Sequence, residues 1–372
     1  TIVSSTLTWE KVTTLDLGLD ARFFNDALGV TFDWYNRTTS DILTTANLPA
    51  TLGADAPYEN MGTIQTKGWE LAIDYRHTFK NGLHFGVTAS VADDRTEVTK
   101  WTYNTKIPSY GATGWWDKGA YKEGMVLGDI WGLQFDRFLT EDDFNADGSL
   151  KAGLPDQTKV FPAGYQFAPG DVLYKDLDNN GEIVKQTNTN EVGDLSVIGN
   201  ALPRLQFGLN LDAAWKGFDI SMFFQGVAKR KLWAAGNQVL PGFTTGEPFY
   251  KGAEDYWTPE NTDAFYPRPM DYRQSASGNY SVNDRYLLNM AYLRLKTFTV
   301  GYSLPKVWLS KFKVQGLRVY FTGENLFTID GVKPAIDPEI GIRTAGTRSD
   351  QRNFGRSYPY QKTVSFGIQL SL

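Results

Sequence analysis

The sequence of 372 residues has no cysteine, two histidines and no long run of apolar residues. The absence of cysteine excludes disulfides, thiol catalysis and cysteine-bound metal, as in many envelope proteins. A mean hydropathy of -0.36, without a stretch of about 20 apolar residues, excludes membrane-spanning helices. A net charge of -5 argues against nucleic acid as a partner.

The residues that enzymes use are also scarce. His77 and His84 flank one predicted turn, and the sequence contains no Gly-x-Ser-x-Gly or His-Glu-x-x-His motif. The acidic run 141–143 lies in a predicted loop and is expected to be solvated. The sequence therefore predicts a protein that is not an enzyme. Because the chain starts at Thr1 without a signal peptide, we expect a fragment or a processed product.

Strict alternation of apolar and polar residues is what the sequence does contain. In its last stretch Val364, Phe366, Ile368 and Leu370 alternate with small or polar residues. Such a strand is apolar on one face, which must be covered by a second sheet in a soluble sandwich or by lipid in a transmembrane barrel. The alternation recurs in about nine segments, namely 12–23, 28–35, 69–76, 83–91, 205–213, 218–224, 298–304, 317–321 and 363–372.

The lengths of the connections favour the barrel. Short turns alternate strictly with the long connections 39–66, 95–203, 229–291 and 329–360. Outer-membrane barrels place short turns in the periplasm and long loops outside, whereas a soluble sandwich has no such segregation. A membrane crossing at 128–138 would reverse the order of short turns and long loops in every later hairpin. We therefore assign this segment to an external excursion, although its pattern is typical of a strand. We therefore predict an all-β, antiparallel transmembrane barrel portion in which lipid covers Leu17, Val30, Ile73, Phe207 and Phe366.

Aromatic residues lie near the predicted strand ends. Trp34, Trp69, Trp215 and Tyr302 suit the interfacial girdles of such barrels, although packing explains any single aromatic as well. Segment 305–312 is expected to contain a helical turn. Nine strands do not close an even-numbered barrel, so the remaining strands are expected upstream.

A series of short motifs in a fixed order resembles the C-terminal barrel of SusC/RagA-type TonB-dependent transporters. Each motif is weak alone, but together they cover nearly the whole chain. They are Trp9-Glu10-Lys11, Asn60-Met61-Gly62, Lys67-Gly68-Trp69-Glu70, Glu123-Gly124, Gly128-Asp129-Ile130-Trp131-Gly132, Asp176–Ile183, Ile198-Gly199-Asn200 with Pro203, Phe223-Phe224-Gln225-Gly226, Trp257-Thr258-Pro259-Glu260-Asn261, Tyr292-Leu293-Arg294-Leu295 and Gly323-Glu324-Asn325-Leu326-Phe327.

The resemblance implies an architecture and a function. The whole chain, residues 1–372, would be the C-terminal part of a 22-stranded outer-membrane barrel of a Gram-negative bacterium, with 95–202 as a large extracellular loop excursion. The plug and the N-terminal strands would lie outside this chain. A SusD-like lipoprotein would cap the barrel, TonB would energise import through the absent N-terminal region, and the cargo would be an oligosaccharide or a peptide. No cofactor is implied.

Two sets of loop residues are candidate sites. Sugars stack on aromatic rings, so we predict substrate contacts from residues in the long loops, with loop packing as the alternative. These residues are Trp115, Trp116, Tyr121, Tyr256 and Trp257.

The second set resembles calcium loops, in which oxygen ligands alternate and a glycine permits a sharp turn. The first loop offers Asp176, Asp178 and Asn180, and the second offers Asp143, Asn145 and Asp147. Neither has an acid at the twelfth position, so Asp194 or Asp156 would have to substitute. The alternative is a metal-free turn rich in Asp and Asn, and the first loop is expected to bind calcium before the second.

Two other functions remain open. A passive outer-membrane porin would share the barrel but lack a plug. A secreted, soluble glycan-binding β-sandwich would bury the apolar faces in a protein core and would be extracted without detergent.

Overall fold

The computed structural model describes residues 7–45, 57–102, 123–185, 192–234, 236–242, 249–270, 278–309, 314–333, 336–339 and 358–371. Within these ranges the chain forms fifteen strands, a 3₁₀ turn at Glu141–Asp143 and a short helix at Lys306–Leu309. None of the described helices has the length and hydropathy of a membrane span. The strands are β1 (Lys11–Phe23), β2 (Leu28–Thr45), β3 (Tyr58–Thr78), β4 (His84–Trp101), β5 (Asp129–Gly132), β6 (Phe135–Phe138), β7 (Val172–Tyr174), β8 (Ser196–Asn200), β9 (Arg204–Trp215), β10 (Phe218–Lys229), β11 (Lys231–Leu232), β12 (Leu288–Asn289), β13 (Tyr292–Ser303), β14 (Gly316–Asp330) and β15 (Thr363–Ser371).

Nine of these strands form one antiparallel sheet. Its order is β1-β2-β3-β4-β9-β10-β13-β14-β15, so strands that follow one another in the sheet also follow one another in the chain once the excursions are set aside. The nine predicted segments correspond to these nine strands, which confirms the predicted fold. The helix at Lys306–Leu309 lies in the predicted helical turn between β13 and β14.

The register carries one apolar face across the sheet. Leu17 lies opposite Trp34, and Phe321 lies opposite Phe366. Since directly opposite residues of an antiparallel pair point to the same face, these apolar side chains lie on one face of the sheet. Phe366 is 82% exposed, so the described residues provide no second layer over it. Of the five residues predicted to face outward, Leu17, Ile73 and Phe366 are exposed and Val30 and Phe207 are half-buried.

Aromatic pairs mark both ends of this apolar face. Trp34 lies opposite Trp69 at one end, and the next outward residue of β3 is Lys67. At the other end Trp215 pairs with Phe218, which pairs with Tyr302. We call the end with the long connections the loop end and the other the turn end.

At the turn end the connections are tight turns whose residues have positive φ. Phe24, Asn25 and Asp26 all have φ between 54° and 64°. Lys216 and Gly217 also have positive φ, as a two-residue hairpin turn requires. The turn end is therefore close to what the sequence predicts.

At the loop end the strands are longer than predicted. The connection predicted over 39–66 is wrong in part, because β2 continues to Thr45 and β3 starts at Tyr58. Likewise β4 continues to Trp101. Beyond the apolar band the outward residues are no longer regularly apolar, and Met61, Val98 and Trp101 form a small buried cluster there. The period-2 signal therefore disappears although the backbone pairing continues.

The opposite face of the sheet is polar and contains close approaches to glycine. A Cβ on Gly68 would overlap the Tyr35 ring of the neighbouring strand, and one on Gly367 would overlap the Tyr320 ring. Large side chains on this face thus lie across the adjacent strand, over positions without a side chain.

The long connections fold into a body of their own at the loop end. We call residues 123–202 and 230–290, where described, the loop body. The short strands β5 and β8 pair with each other, as do β6 and β7, and β11 and β12. The placement of 128–138 outside the main sheet is confirmed, since β5 and β6 belong to these small sheets.

Candidate functional site: the loop body

The two excursions share hydrophobic cores. One core joins residues of the first excursion, such as Leu133 and Val172, to Trp257 and Ala264 of the second. A second core joins Ile130 to residues of the second excursion. The backbone of Leu133 also bonds to that of Val282 at 2.9 Å. The excursions therefore form one packed unit and not two independent loops.

A buried carboxylate fastens the two excursions together. Asp171 is fully buried, and its oxygens accept hydrogen bonds from Tyr165 (2.8 Å), the backbone of Ala168 (2.9 Å) and Asn279 (3.0 Å). Arg268 donates to both oxygens, at 2.8 and 3.2 Å. Because a charge without partners is costly in the interior, this network fixes the relative position of the excursions.

A cation surrounded by aromatic rings makes the second fastening. The guanidinium of Arg285 lies 4.3 Å from the ring centre of Phe135 and 5.0 Å from that of Phe138, both in the first excursion. It also donates to the carbonyls of Ala264 (2.6 Å) and Phe265 (2.9 Å) in its own excursion. No motif in the sequence pointed to Arg285 or Asp171, because the partners that join each of them to the other excursion are 97 or more residues away in the sequence.

Ion pairs hold the connection between β14 and β15 against β13. Arg294 of β13, whose side chain is 4% exposed, contacts Asp337 at 2.6 Å and Glu339 at 2.5 Å. Lys296 reaches Glu339 at 3.1 Å, and the Tyr292 hydroxyl donates to the same carboxylate at 2.9 Å. The start of the 331–362 connection is therefore fixed at the loop end.

The first predicted calcium loop brings three carboxylates together. Oxygens of Asp176, Asp178 and Asp194 lie within 4.8 Å of one another. Asp194 also accepts from the backbones of Leu177 (2.8 Å) and Val184 (2.7 Å), which holds it against the loop. The structure thus supplies Asp194 as the acid that the motif lacks near its twelfth position.

This loop fits a cation in a second respect. The Oδ1 of Asp176 is buried and has no hydrogen-bond partner among the described residues, while its Oδ2 accepts from Gly181 at 2.8 Å. The side chain of Asn180 caps the backbone of Glu182 at 2.8 Å. These oxygens could coordinate calcium, and calcium binding stays a prediction.

The second predicted calcium loop is occupied by an internal cation. Arg137 forms two hydrogen bonds with Asp143, at 2.6 and 2.7 Å. These bonds lower the pKa of Asp143 to about 2, against the opposing effect of burial. Asn145 and Asp147 bond to Ser149, at 2.9 and 2.6 Å. This geometry matches the metal-free turn more closely than the first loop does.

The predicted substrate-binding aromatics separate into three groups. Trp115, Trp116 and Tyr121 lie outside the described residues. Trp257 is 7% exposed and packs in the core shared by the two excursions, with its ring against Gly170, so it joins the loops together and presents no ring face to a ligand. Tyr256 is 40% exposed and stays a candidate for stacking.

Sheet and loop body together define a class of protein. An antiparallel sheet with a continuous exposed apolar face between aromatic rows, polar on its other face and with large loops at one end, is part of a transmembrane β-barrel.

The family follows from the comparison with known proteins. The chain belongs to the family of TonB dependent receptor-like β-barrels, whose model matches residues 1–326. It is 28% identical over 376 residues to TonB-dependent receptor P3 of Formosa agariphila, covering 98% of this chain and 34% of that protein. It is 23% identical over 375 residues to TonB-dependent receptor SusC of Bacteroides thetaiotaomicron, covering 98% and 32%. The chain thus spans about a third of the length of these curated relatives.

A solved structure has the same fold. The structure of the RagAB peptide transporter superposes with a TM-score of 0.68 at 21% identity, over 99% of this chain and 36% of that chain. At this identity the likeness concerns the fold alone.

Proposed function

We propose that this chain is the C-terminal barrel part of a TonB-dependent importer in the outer membrane of a Gram-negative bacterium, with the loop body outside the cell. The protein is not an enzyme, and it takes up an oligosaccharide or a peptide. The continuous apolar face of the nine-stranded sheet carries the proposal, because lipid is the environment that tolerates it. Family membership supports the energised mechanism.

Partners follow from the same reasoning. A SusD-like surface lipoprotein would cap the loop body and TonB would act from the periplasm through a region outside this chain. The relatives support this, since one is named SusC and another structure is a RagAB complex described as a peptide transporter. The packed loop body supplies a preformed platform for such a lid, so little ordering would accompany docking.

Uptake measurements test the proposal. Cells that produce the complete receptor are given labelled oligosaccharides and peptides, with and without a protonophore that collapses the inner-membrane gradient. We expect uptake of one class that the protonophore abolishes. Uptake that continues unchanged would indicate a passive porin. Recovery of the receptor in the soluble fraction without detergent would indicate the soluble sandwich and contradict the membrane assignment.

A further inference from the structure

The small two-stranded sheet of β5 and β8 has one face in the core of the loop body and a second face outside that core. Ile130 is 3% exposed within a hydrophobic core, and a Cβ on Gly132 would overlap the backbone of Val282. Because successive residues of a strand point to opposite faces, the other residues of β5 lie on the second face. This face combines an aromatic ring, a branched apolar side chain, a carboxylate and an amide: Trp131 lies opposite Val197, and Asp129 lies opposite Asn200.

This second face lines a cavity of about 590 Å³. Segment 123–126 and Arg95, near the end of β4, line it as well. Arg95 belongs to the outward face of the main sheet, since its partner Lys67 is the next outward residue of β3 after Trp69. The cavity therefore adjoins the outer wall of the barrel at the loop end. Its neighbours β4 and β9 are paired on both sides in the main sheet, so closure of the barrel adds no further strand there.

The charges that line the cavity are balanced within the chain. Arg204 forms two hydrogen bonds with Asp93. Burial raises the pKa of Asp129, and hydrogen bonding together with the positive charge of Arg95 opposes this effect. Glu123 adds a second carboxylate to the lining. An ion of either sign would meet a like charge beside each opposite one, so the lining favours a neutral ligand.

A sugar residue has the chemistry that this lining requires. Its hydroxyls both donate and accept hydrogen bonds, so they can bond to the guanidinium of Arg95 and to the carboxylates of Glu123 and Asp129. Its C–H faces pack on aromatic and apolar side chains, which Trp131 and the 48% exposed Val197 provide. The volume lies within the range of small-ligand sites, about 300 to 1,000 Å³.

Trp131 also has an unused hydrogen-bond donor. The ring is half-buried and packs against the core that joins the two excursions. Its indole N–H is buried and has no acceptor among the described residues. A small turn of the ring toward a ligand hydroxyl would therefore break no existing hydrogen bond and would satisfy a buried donor.

We propose that the cavity between the β5–β8 sheet and the end of β4 binds a neutral sugar residue at the outer wall of the receptor. The site is separate from the lumen, so it would retain a glycan at the cell surface and would not be part of the import path. The inference rests on the proposed position of the loop body outside the cell. The sugar can belong to an oligosaccharide cargo or to an outer-leaflet glycolipid, since both present the same hydroxylated ring.

Fluorine NMR tests the site directly, because this chain has no native cysteine. A trifluoromethyl label is attached at Val197→Cys in the complete receptor, in a polyoxyethylene detergent without a sugar headgroup. Maltotriose, cellotriose and mannotriose are the neutral probes, and trigalacturonic acid is the acidic one. We expect a saturable shift of the label with at least one neutral trisaccharide. Adding Arg95→Met should raise the half-saturating concentration about tenfold, the effect of one hydrogen bond to a charged group.

The matched control carries the same label at Phe249→Cys, an exposed apolar position of the other excursion that does not line the cavity. This label should not shift. Four outcomes would overturn the site: no saturable shift at residue 197 with any neutral trisaccharide, equal shifts at both labels, no effect of Arg95→Met, or saturation by trigalacturonic acid at an equally low concentration. Arg95 is exposed, so its replacement is not expected to disturb folding.

The variant Val197→Arg, which fills the cavity, identifies the source of the sugar. If the sugar is cargo, cells with this variant should need a higher oligosaccharide concentration for half-maximal uptake and should keep the same maximal rate. If it belongs to a glycolipid, uptake should be unchanged, and mass spectrometry should find less glycolipid on the purified variant than on the wild type. No change in either measurement would contradict the site. The protonophore experiment reads energised uptake independently, so failure of either proposal is seen without the other.

Discussion

Asp171 is fully buried and bonds residues of both excursions of the loop body. Replacing it by Asn removes the charge opposite Arg268 inside a network that joins both excursions. Breaking a buried pair leaves one charge uncompensated, and we expect a loss on the order of 3 kcal/mol in the stability of the loop body. Hydrogen exchange of residues 133–183 and 255–290 measures it.

The control for Asp171→Asn is Lys159→Gln. This lysine pairs with Glu182 on the surface, where both side chains are about half exposed, so little change is expected. Equal protection in wild type and Asp171→Asn would show that the excursions are held together by their apolar cores alone.

Asp143 gives the loop body an acid-sensitive contact. Its pKa is lowered to about 2 by the Arg137 guanidinium, below the unfolded value of about 3.9. A lowered folded-state pKa stabilises above the unfolded value, and this stabilisation is lost as pH falls through the folded value. We expect protease resistance of segment 129–183 to fall between about pH 5 and about pH 2.

In Asp143→Asn this part of the pH dependence should vanish, since the Asn does not titrate. Asp263→Asn, an exposed carboxylate of the other excursion, should leave the wild-type profile. A profile for Asp143→Asn that matches the wild type would assign the acid sensitivity to other groups.

Calcium should distinguish the two acidic loops. The three-carboxylate grouping at Asp176, Asp178 and Asp194 is expected to bind calcium, and millimolar calcium should then raise the melting temperature of the loop body. Asp178→Asn should abolish the shift, whereas Asp147→Asn in the second loop should keep it. Differential scanning calorimetry provides the measurement. The absence of any calcium-dependent change in melting or loop order would dispose of the site.

At this scale the sequence indicates local geometry better than long-range partners. The alternating acids predict the turn around Asp176, because the oxygens that cap the turn are within a few residues. The pairing of Arg137 with Asp143 could not be predicted from the spacing of the acids, since an arginine can pair with a carboxylate in any acidic loop nearby. The burial of Trp257 depends on Gly170, which is 87 residues away and permits the ring to approach.

At the scale of single elements, the alternating segments predict all nine strands of the sheet but not their length at the loop end. Alternation arises from the contrast between lipid and lumen, so it reports only the part of a strand inside the bilayer. The extension of β3 back to Tyr58 is therefore invisible to a period-2 search, although its pairing with β2 continues through bulges near Thr39 and Ile42.

Close approaches on the polar face make one strand pair sensitive to a single methyl group. Gly367→Ala would place a Cβ in the Tyr320 ring, whereas Gly316→Ala meets nothing nearer than 3.6 Å, at Ser371. We expect Gly367→Ala to lower the melting temperature and slow refolding into detergent, by overpacking of about 1 to 3 kcal/mol. Gly316→Ala in the same strand pair should be close to neutral. Similar losses of stability in Gly367→Ala and Gly316→Ala would show that the close approach of the Tyr320 ring to Gly367 does not cause the effect.

For the whole molecule, the described strands leave the outer edges of β1 and β15 without a partner in the nine-stranded sheet. A bilayer does not tolerate an open sheet edge, so the complete receptor must continue the pairing from both edges. The loop body then lies at one rim of the closed barrel. Its two excursions, although far apart in sequence, come together because β4, β9, β10 and β13 are neighbours in the sheet.

The lipid-facing assignment of that sheet is testable because the chain has no native cysteine. Spin labels at Ile368→Cys and Gln369→Cys sit on adjacent residues of β15 that point to opposite faces. In the complete receptor in vesicles, the label at 368 should collide with oxygen dissolved in lipid. The label at 369 should collide with a water-soluble nickel chelate, or with neither reagent if the lumen is filled. Because the two labelled sites are adjacent residues, both labels lie at nearly the same height in the membrane, and they differ only in the face of the sheet to which they point. Equal accessibility of both labels to the nickel chelate would place both faces of β15 in water and would remove the basis for a transmembrane barrel.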